Sequence, residues 1–259
     1  MGNRSVHSGN RANTNKEWCW RVTQRYKPDG GPHWHVALRA EIEALARTLR
    51  EPVILDAGCG LRNMLSVDFK ESASFRVGID IDREACGNTY LDSFLQSDLT
   101  RIPLRSNSVD VLLSGYVLEH LADPVAALRE FYRVLKPGGT AFIWTPNLLN
   151  YAIQVSALTP TAFHNWINHL AFPENARDNC STYYRANTPG ALVRAVHDAG
   201  LSPHGALRFG AGSFLYWRFS RPLFLAAVLG SHLVARSPLR RLMNVLLVRC
   251  AKPSRANGR

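Results

Sequence analysis

Asp56, Gly58, Gly60, Asp80 and Asp98 are the residues of this chain whose types and spacing could do chemistry. The first three lie in VILDAGCG (53–60), where the apolar run Val53-Ile54-Leu55 leads straight into an acid and two closely spaced glycines. Such a run reads as a buried parallel strand, and the glycines let the following turn approach a ligand that a Cβ would push away. A dinucleotide would bring an anionic pyrophosphate to this turn, where the Asp56 carboxylate repels it. The dinucleotide fingerprint G-x-G-x-x-G also fails, because Asn63 stands at its third glycine. S-adenosylmethionine has no phosphate and carries a sulfonium and an ammonium, so an acid in the loop suits it. A strand-to-helix turn with glycines chosen only for packing would look the same in isolation.

The next segments narrow that choice. RVGIDID (76–82) reads as a second strand ending in acids, and Asp80 follows Asp56 by 24 residues. That is close to the spacing at which nucleotide folds set a carboxylate on the ribose hydroxyls. The alternative use of an acid here, capping a helix that starts at Arg83-Glu84-Ala85, suits Asp82 better than Asp80. FLQSDL (94–99) supplies a third short strand, with Asp98 placed to accept from an adenine amino group or, alternatively, to serve a turn. Each acid falls at the carboxyl end of an expected strand, where open α/β sheets bind ligands.

The ordered set VILDAGCG, VGIDID, QSDLTRIPLRSNSVDVLLSGYVLEHLADP and LREFYRVLKPGGTAFIWTPN resembles the class I S-adenosylmethionine-dependent methyltransferases, particularly the group that includes ubiquinone and menaquinone biosynthesis methyltransferases. The resemblance is close over roughly residues 50–150 and weakens on either side. It implies an α/β fold, a Rossmann-like three-layer sandwich whose mostly parallel seven-stranded sheet ends in an antiparallel strand inserted beside the sixth. By the same resemblance Asp56, Gly58 and Gly60 line the methionyl part of the cofactor and Asp80 its ribose. Asp98 with Leu99 takes the adenine edge, and Ser114, Gly115 and Tyr116 close the floor. The family's loop usually reads D-x-G-C-G-x-G, whereas Arg62 occupies the last glycine here, which predicts a bulkier loop.

The elements that must position these residues can be read from periodicity. VDVLLSG (109–115) and TAFIWTP (140–146) read as strands flanking PVAALREFYRVLKPGG (124–139), where Val125, Leu128, Phe131, Val134 and Leu135 recur at helical spacing. Pro137-Gly138-Gly139 is expected to stop that helix. NTPGALVRAVHDAGL (187–201) reads as a helix capped by Thr188, with Pro189 in its first turn and Gly200 at its end. LMNVLLVRCAKP (242–253) is expected as the last strand and ALRFG (206–210) as the sixth. Strands alternating with helices make a parallel sheet, and right-handed crossovers put the acids on one rim.

With 259 residues and 46% hydrophobic content, one domain over 17–259 is expected, carrying a lid insertion at about 147–186 and a basic apolar insertion at about 214–240. Residues 1–16 are polar, lack an apolar signal segment, and read as a flexible tail; Val6 sits where myristoylation needs Ser or Thr. Five scattered cysteines without a C-x-x-C pair argue against a disulfide scaffold or a zinc site and for a reducing cytoplasm. No other ligand cluster has metal-site spacing, so no metal is expected.

Charge adds what the motifs do not. Residues 1–184 hold 19 Lys and Arg against 19 Asp and Glu, while 185–259 hold 12 against 1, so the net charge of +11 resides in the last 75 residues. Within them PLFLAAVLGSHLVA (222–235) is apolar, bracketed by Arg218, Arg221, Arg236, Arg240 and Arg241, and entered through Phe214, Tyr216, Trp217, Phe219 and Phe224. It is shorter than the roughly 20 residues a spanning helix needs. Contact of residues 214–241 with an anionic membrane, making the protein peripheral there, is one expectation; an insertion helix packed on the sheet with a solvated arginine face is the other.

The acceptor side is sought in the long 147–186 connection, with His164, His169, Tyr183 and Tyr184 as candidate contacts or bases, each equally readable as an ordinary lid residue. His120, in VLEHL after the fourth strand, is the candidate catalytic base, unless it is a helix-start residue oriented by Glu119 or Asp123. The favoured function is methyl transfer to a small-molecule, lipid-linked, isoprenoid or sugar acceptor. Methylation of nucleic acid through the basic region is the less favoured alternative, and a non-catalytic cofactor-fold interaction protein is the third.

Overall fold

The computed structural model describes residues 17–19, 21–23, 25, 34–61, 69–150, 153–154, 181–210 and 219–254. The chain divides into two compact units. The first comprises Met1–Trp34, Leu148–Cys180 and Phe209–Val245, and so holds most of both expected insertions; the second comprises His35–Asn147, Ser181–Arg208 and Leu246–Arg259. The tail 1–16, Arg62, His164, His169, Phe214, Tyr216, Trp217 and Arg218 lie outside the described residues.

The second unit is built on a Rossmann-like sheet. Its strands are β1 (Val53–Ala57), β2 (Phe75–Asp80), β3 (Ser93–Gln96), β4 (Val109–Gly115), β5 (Leu135–Pro146), β6 (Ser202–Pro203), β7 (Arg208–Gly210) and β8 (Val245–Ala251). The path runs β3-β2-β1-β4-β5-β8-β6, with β7 also pairing β8. Strands β1 to β5 pair in parallel, and β6 runs antiparallel to β8. Val53–Leu55 and Val111–Leu113 are apolar without alternation because parallel strands are covered on both faces; Leu55, Val111 and Leu112 have no exposed surface.

Helices α1 (Trp34–Arg47), α2 (Pro124–Val134) and α3 (Pro189–Asp198) accompany the sheet. Helix α1 buries Leu38, Ile42 and Ala46, four residues apart, and α2 buries Ala127, Leu128, Phe131 and Val134. Asp123 caps α2 by accepting from Ala126 N at 3.0 Å, and the Thr188 hydroxyl caps α3 by accepting from Ala191 N at 3.3 Å. Gly200 (φ +85°) ends α3, donating to the His197 carbonyl at 2.9 Å.

Two expectations are corrected. Helix α2 ends at Val134, before Pro137-Gly138-Gly139, which instead form the irregular start of β5: Val109 pairs with Leu135, but Val111 pairs with Thr140. Proline disfavours helical geometry at the residue before it, so the helix must stop ahead of Lys136. The sixth strand in chain order, last on the path, is Ser202–Pro203, and the expected segment 206–210 yields the additional strand β7 at Arg208–Gly210. The chain turns directly from Gly200 onto β8, so β6 is made by pairing rather than by an apolar run.

In the first unit α4 (Arg221–Ala235) buries Phe224 and Val228 against Cys19 and Met243. Trp18 meets Phe224 edge-on at 6.1 Å, and the Arg221 guanidinium lies 5.3 Å from the Trp18 ring centre. No described helix is long and apolar enough to cross a membrane.

Candidate functional site

Parallel pairing brings the carboxyl ends of β1, β2 and β3 to one rim, with Asp56 opposite Gly78 and Asp80 opposite Gln96. The Asp80 carboxylate is held by backbone: Gly60 N donates to Oδ2 at 2.8 Å and Asp82 N to Oδ1 at 2.9 Å. Asp82 itself caps the short turn Arg83–Gly87 through Glu84 N, so the two acids divide the roles open to them in the sequence. Burial pushes the Asp56 carboxyl up to about 7, and the nearby Asp80 charge raises it further. Asp98 is exposed in a turn, its Oδ1 accepting from Thr100 N at 2.8 Å and Thr100 Oγ1 at 2.9 Å; Leu99 beside it is buried. None of these three aspartates is paired with a lysine or arginine among the described residues.

The glycine loop is held from β2 and from a residue the sequence gives no reason to single out. Gly58 N and Cys59 N donate to the Ile79 carbonyl at 2.7 and 3.2 Å, and buried Asn88 donates through Nδ2 to the carbonyls of Cys59 and Gly60 at 3.3 and 3.1 Å. Gly58 has φ +80°, and a Cβ there would lie 2.2 Å from Val117 Cγ2. Gly60 has φ +51°, and a Cβ there would meet nothing within 4 Å. The Cys59 thiol packs against Gly78, and burial pushes its pKa up, so it serves the turn and offers no nucleophile. Ile81, directly after Asp80, is 71% exposed. An apolar side chain left in the open next to the ribose-type carboxylate is a signal that RVGIDID already contained.

The ends of β4 and β5 are organised differently. Ser114 is fully buried, and a Cβ on Gly115 would lie 2.0 Å from the Trp144 ring, so Gly115 admits the tryptophan. Tyr116 takes φ +58°, a backbone shape uncommon outside glycine. Glu119 is only 4% exposed; Thr145 Oγ1 donates to its Oε2 at 2.9 Å, and Asn187 Nδ2 donates to Thr145 Oγ1 at 2.7 Å. Burial pushes the Glu119 carboxyl up to about 7 against the pull of backbone, His120 and Thr145. His120 Nδ1 lies 3.0 Å from the Ser181 carbonyl, which can only accept, so Nδ1 carries a proton and Nε2, 4.0 Å from Glu119 Oε1, keeps the lone pair of the neutral ring. Asp123 is committed to capping α2 and leaves the orienting role to Ser181 and Glu119. Tyr183 N and Tyr184 N donate to the Glu119 carbonyl at 2.7 and 3.2 Å, tying these two lid candidates to the same network by their backbone. Ser114 Oγ, Trp144 Nε1 and Asn187 Oδ1 are buried without a hydrogen-bond partner among the described residues.

The residues present fit S-adenosylmethionine. Among the described residues two interacting carboxylates without a paired cation suit its positive charges, the backbone-held Asp80 keeps lone pairs for ribose hydroxyls, and the space at Gly60 is one a Cβ would fill. Among the described residues no three His, Cys, Asp or Glu side chains gather as a metal site requires.

A family model described as a methyltransferase domain matches residues 55–143. A protein of Mycolicibacterium smegmatis, named as a probable S-adenosylmethionine-dependent methyltransferase, is 29% identical over 125 residues, covering 46% of this chain and 48% of that protein. The demethylmenaquinone methyltransferase of Chlorobaculum tepidum is 27% identical over 126 residues, covering 47% of this chain and 52% of that one. The chain thus spans about half the length of these relatives. Geranyl diphosphate C-methyltransferase from Streptomyces coelicolor, solved with S-adenosyl-L-homocysteine, shares the fold with TM-score 0.53 at 16% identity, over 83% of this chain and 79% of that chain. Residues 55–143 thus match a methyltransferase domain, and the relatives similar over this stretch include proteins named as S-adenosylmethionine-dependent methyltransferases.

Proposed function

We propose that this methyltransferase domain transfers the cofactor's methyl group to a small-molecule acceptor, lipid-linked, isoprenoid or sugar, with the β1–β3 rim holding the cofactor and the β4–β5 rim the acceptor. The observation that carries the reading is the group of three aspartates on one rim with no lysine or arginine paired to them among the described residues. Asp56, Gly58 and Gly60 would take the methionyl end and Asp80 the ribose; Ile81 would cover the adenine ring while Asp98 and Leu99 meet its edge. Ser114, Gly115 and Tyr116 would form the floor beneath.

S-adenosylmethionine supplies an activated methyl group, so the chain's task is to hold the acceptor in line with it, exclude water and remove a proton where the acceptor is a hydroxyl. His120 Nε2 is the proton acceptor in this reading, with Nδ1 fixed on the Ser181 carbonyl and Glu119 stabilising the imidazolium that results. The relatives' names support an apolar acceptor class, since they include demethylmenaquinone and geranyl diphosphate, both prenyl compounds. The nucleic-acid alternative draws on the basic C-terminal region and on similarity to a tRNA (carboxymethyluridine(34)-5-O)-methyltransferase, 36% identical over 98 residues.

The test is incubation of the purified chain with methyl-labelled S-adenosylmethionine and separate lipid, polar-metabolite and RNA extracts. Label in the lipid or small-molecule fraction is expected. Label in RNA overturns the acceptor class, and failure to bind S-adenosylmethionine in calorimetry overturns the reading altogether.

A further inference from the structure

Helix α4 presents an outward face that water does not suit. Between Arg221 and Arg236 it is exposed at Pro222, Leu223, Leu225, Ala226, Leu229, Gly230 and Leu233, none of them polar, while Ser231 and His232 are only partly exposed. Leu225, Leu229 and Leu233, four residues apart, form one row with 37%, 57% and 71% of their surfaces open. Helix α2 shows the ordinary arrangement: it too starts with proline and buries an apolar side, but away from that side it carries exposed Arg129 and the partly exposed ion pair of Glu130 with Arg133. In α4 the side opposite Phe224 and Val228 is apolar as well. The following turn, Pro238–Leu242, continues the pattern, with Leu239 and Leu242 57% and 43% exposed beside exposed Arg240 and Arg241.

Charge decides what covers this face. Exposed Arg221, Arg236, Arg240 and Arg241 frame it, and residues 199–259 contain no acid. A second copy docked face to face would set these arginines against their own equivalents without a carboxylate between them. RNA would meet the arginines but leave the leucine row in water. An anionic bilayer satisfies both, accepting leucines into the acyl boundary while its headgroups meet the guanidinium groups. With 15 residues the helix is about 22 Å long at 1.5 Å per residue, short of the bilayer's hydrocarbon thickness of about 30 Å, so it would lie in the surface plane.

We propose that α4 and the turn after it form an interfacial anchor that seats Leu225, Leu229 and Leu233 in an anionic membrane, with Arg221, Arg236, Arg240 and Arg241 at the headgroups. The anchor goes beyond the methyl-transfer reading and does not rest on it.

The test is co-sedimentation of the full chain with phosphatidylcholine vesicles and with vesicles containing 30 mol% phosphatidylglycerol. Two variants accompany it: Leu225→Ser/Leu229→Ser/Leu233→Ser, and Arg236→Gln/Arg240→Gln/Arg241→Gln. The unaltered chain is expected to bind the anionic vesicles up to about 1,000-fold more tightly than the neutral ones, the sum over four arginines at roughly 1 kcal/mol each near the surface. The glutamine variant loses that preference, and the serine variant loses affinity for both vesicles while S-adenosylmethionine binding by calorimetry stays intact. Should the serine variant fail to fold, the unaltered chain's vesicle preference and its loss at 0.5 M salt decide the matter. Equal binding by serine variant and parent overturns the anchor, as does indifference of the parent to anionic lipid. A dimer at micromolar concentration that the serine variant dissociates assigns the face to a second copy, and RNA binding lost only in the glutamine variant assigns the arginines to nucleic acid; either result overturns the proposal.

Discussion

The two halves of the strand-end rim satisfy their acids by different means. On the β1–β3 half the Asp80 carboxylate rests on backbone N–H groups of Gly60 and Asp82, and the loop it anchors is held by Asn88. On the β4–β5 half Glu119 adds to a backbone hydrogen bond the support of side chains, Thr145 and through it Asn187, with His120 4.0 Å away. Backbone donors come with the fold and survive most substitutions. Side-chain donors are chosen position by position, so the second half can be retuned to another acceptor while the first keeps one cofactor.

Substitutions that strike one half and spare the other sharpen this contrast. The largest effect is expected at His120→Ala: turnover falls about 100-fold, the lower range of general-base catalysis, while S-adenosylmethionine affinity in calorimetry stays within two-fold, by rough expectation. Parallel loss of affinity would erase the division between the halves. Asp80→Ala acts on the other half, weakening S-adenosylmethionine about 10- to 100-fold for the loss of charged hydrogen bonds, and leaving turnover at saturating cofactor nearly unchanged.

The next effect is a pH dependence whose sign follows from burial. Asp56 sits at about 7 in the folded chain and near 3.8 otherwise, so the ligand-free fold holds a proton there that the unfolded chain releases. Its stability contribution is therefore full below about pH 4 and declines as pH rises through 7; Glu119, also at about 7, contributes with the same sign. A cationic ligand prefers the ionised carboxylate, so affinity is expected to fall by up to about 10-fold per pH unit below 7. Titration calorimetry from pH 5 to 8 checks this, and Asp56→Asn should flatten the profile; an unchanged profile in that variant would remove Asp56 from the site. Glu119→Gln keeps the shape, leaves cofactor affinity and its pH profile alone, and removes Glu119's share of the stability decline in thermal melts. The smallest effect is Asn88→Ala, which frees two loop carbonyls at a cost of about 1–2 kcal/mol of stability in denaturant unfolding, with a mild loss of cofactor affinity.

The same contrast explains what could be read from the residues alone. Val53–Leu55, Val109–Gly115 and Thr140–Pro146 announced strands because they are buried on both faces, and Thr188, Pro189 and Gly200 marked α3 by local chemistry. Asp56 and Asp80 were legible because they follow those strands directly. Ser202–Pro203 was not, since its pairing with β8 at Ala251 and Cys250 is its only strand feature. Asn88 and Asn187 reach partners 28 and 42 residues away, and a polar side chain satisfied at long range leaves no periodic trace. Nor does a glutamate in VLEHL declare that it will be 4% exposed.

The two glycines of the loop differ in what they forbid. Gly58 is locked twice, by φ +80° and by Val117 Cγ2 at 2.2 Å, so trimming residue 117 would open only one of the locks. Gly60 is locked once, by φ +51°, because no described residue comes within 4 Å of the absent Cβ. Mutational tolerance at the two positions therefore measures separate things. Replacements at 58 score the fold, whereas asparagine at 60, able to adopt that backbone shape, scores the ligand's claim on the open space. A deep mutational scan read out for both folding and cofactor capture would separate the two columns without further structural work.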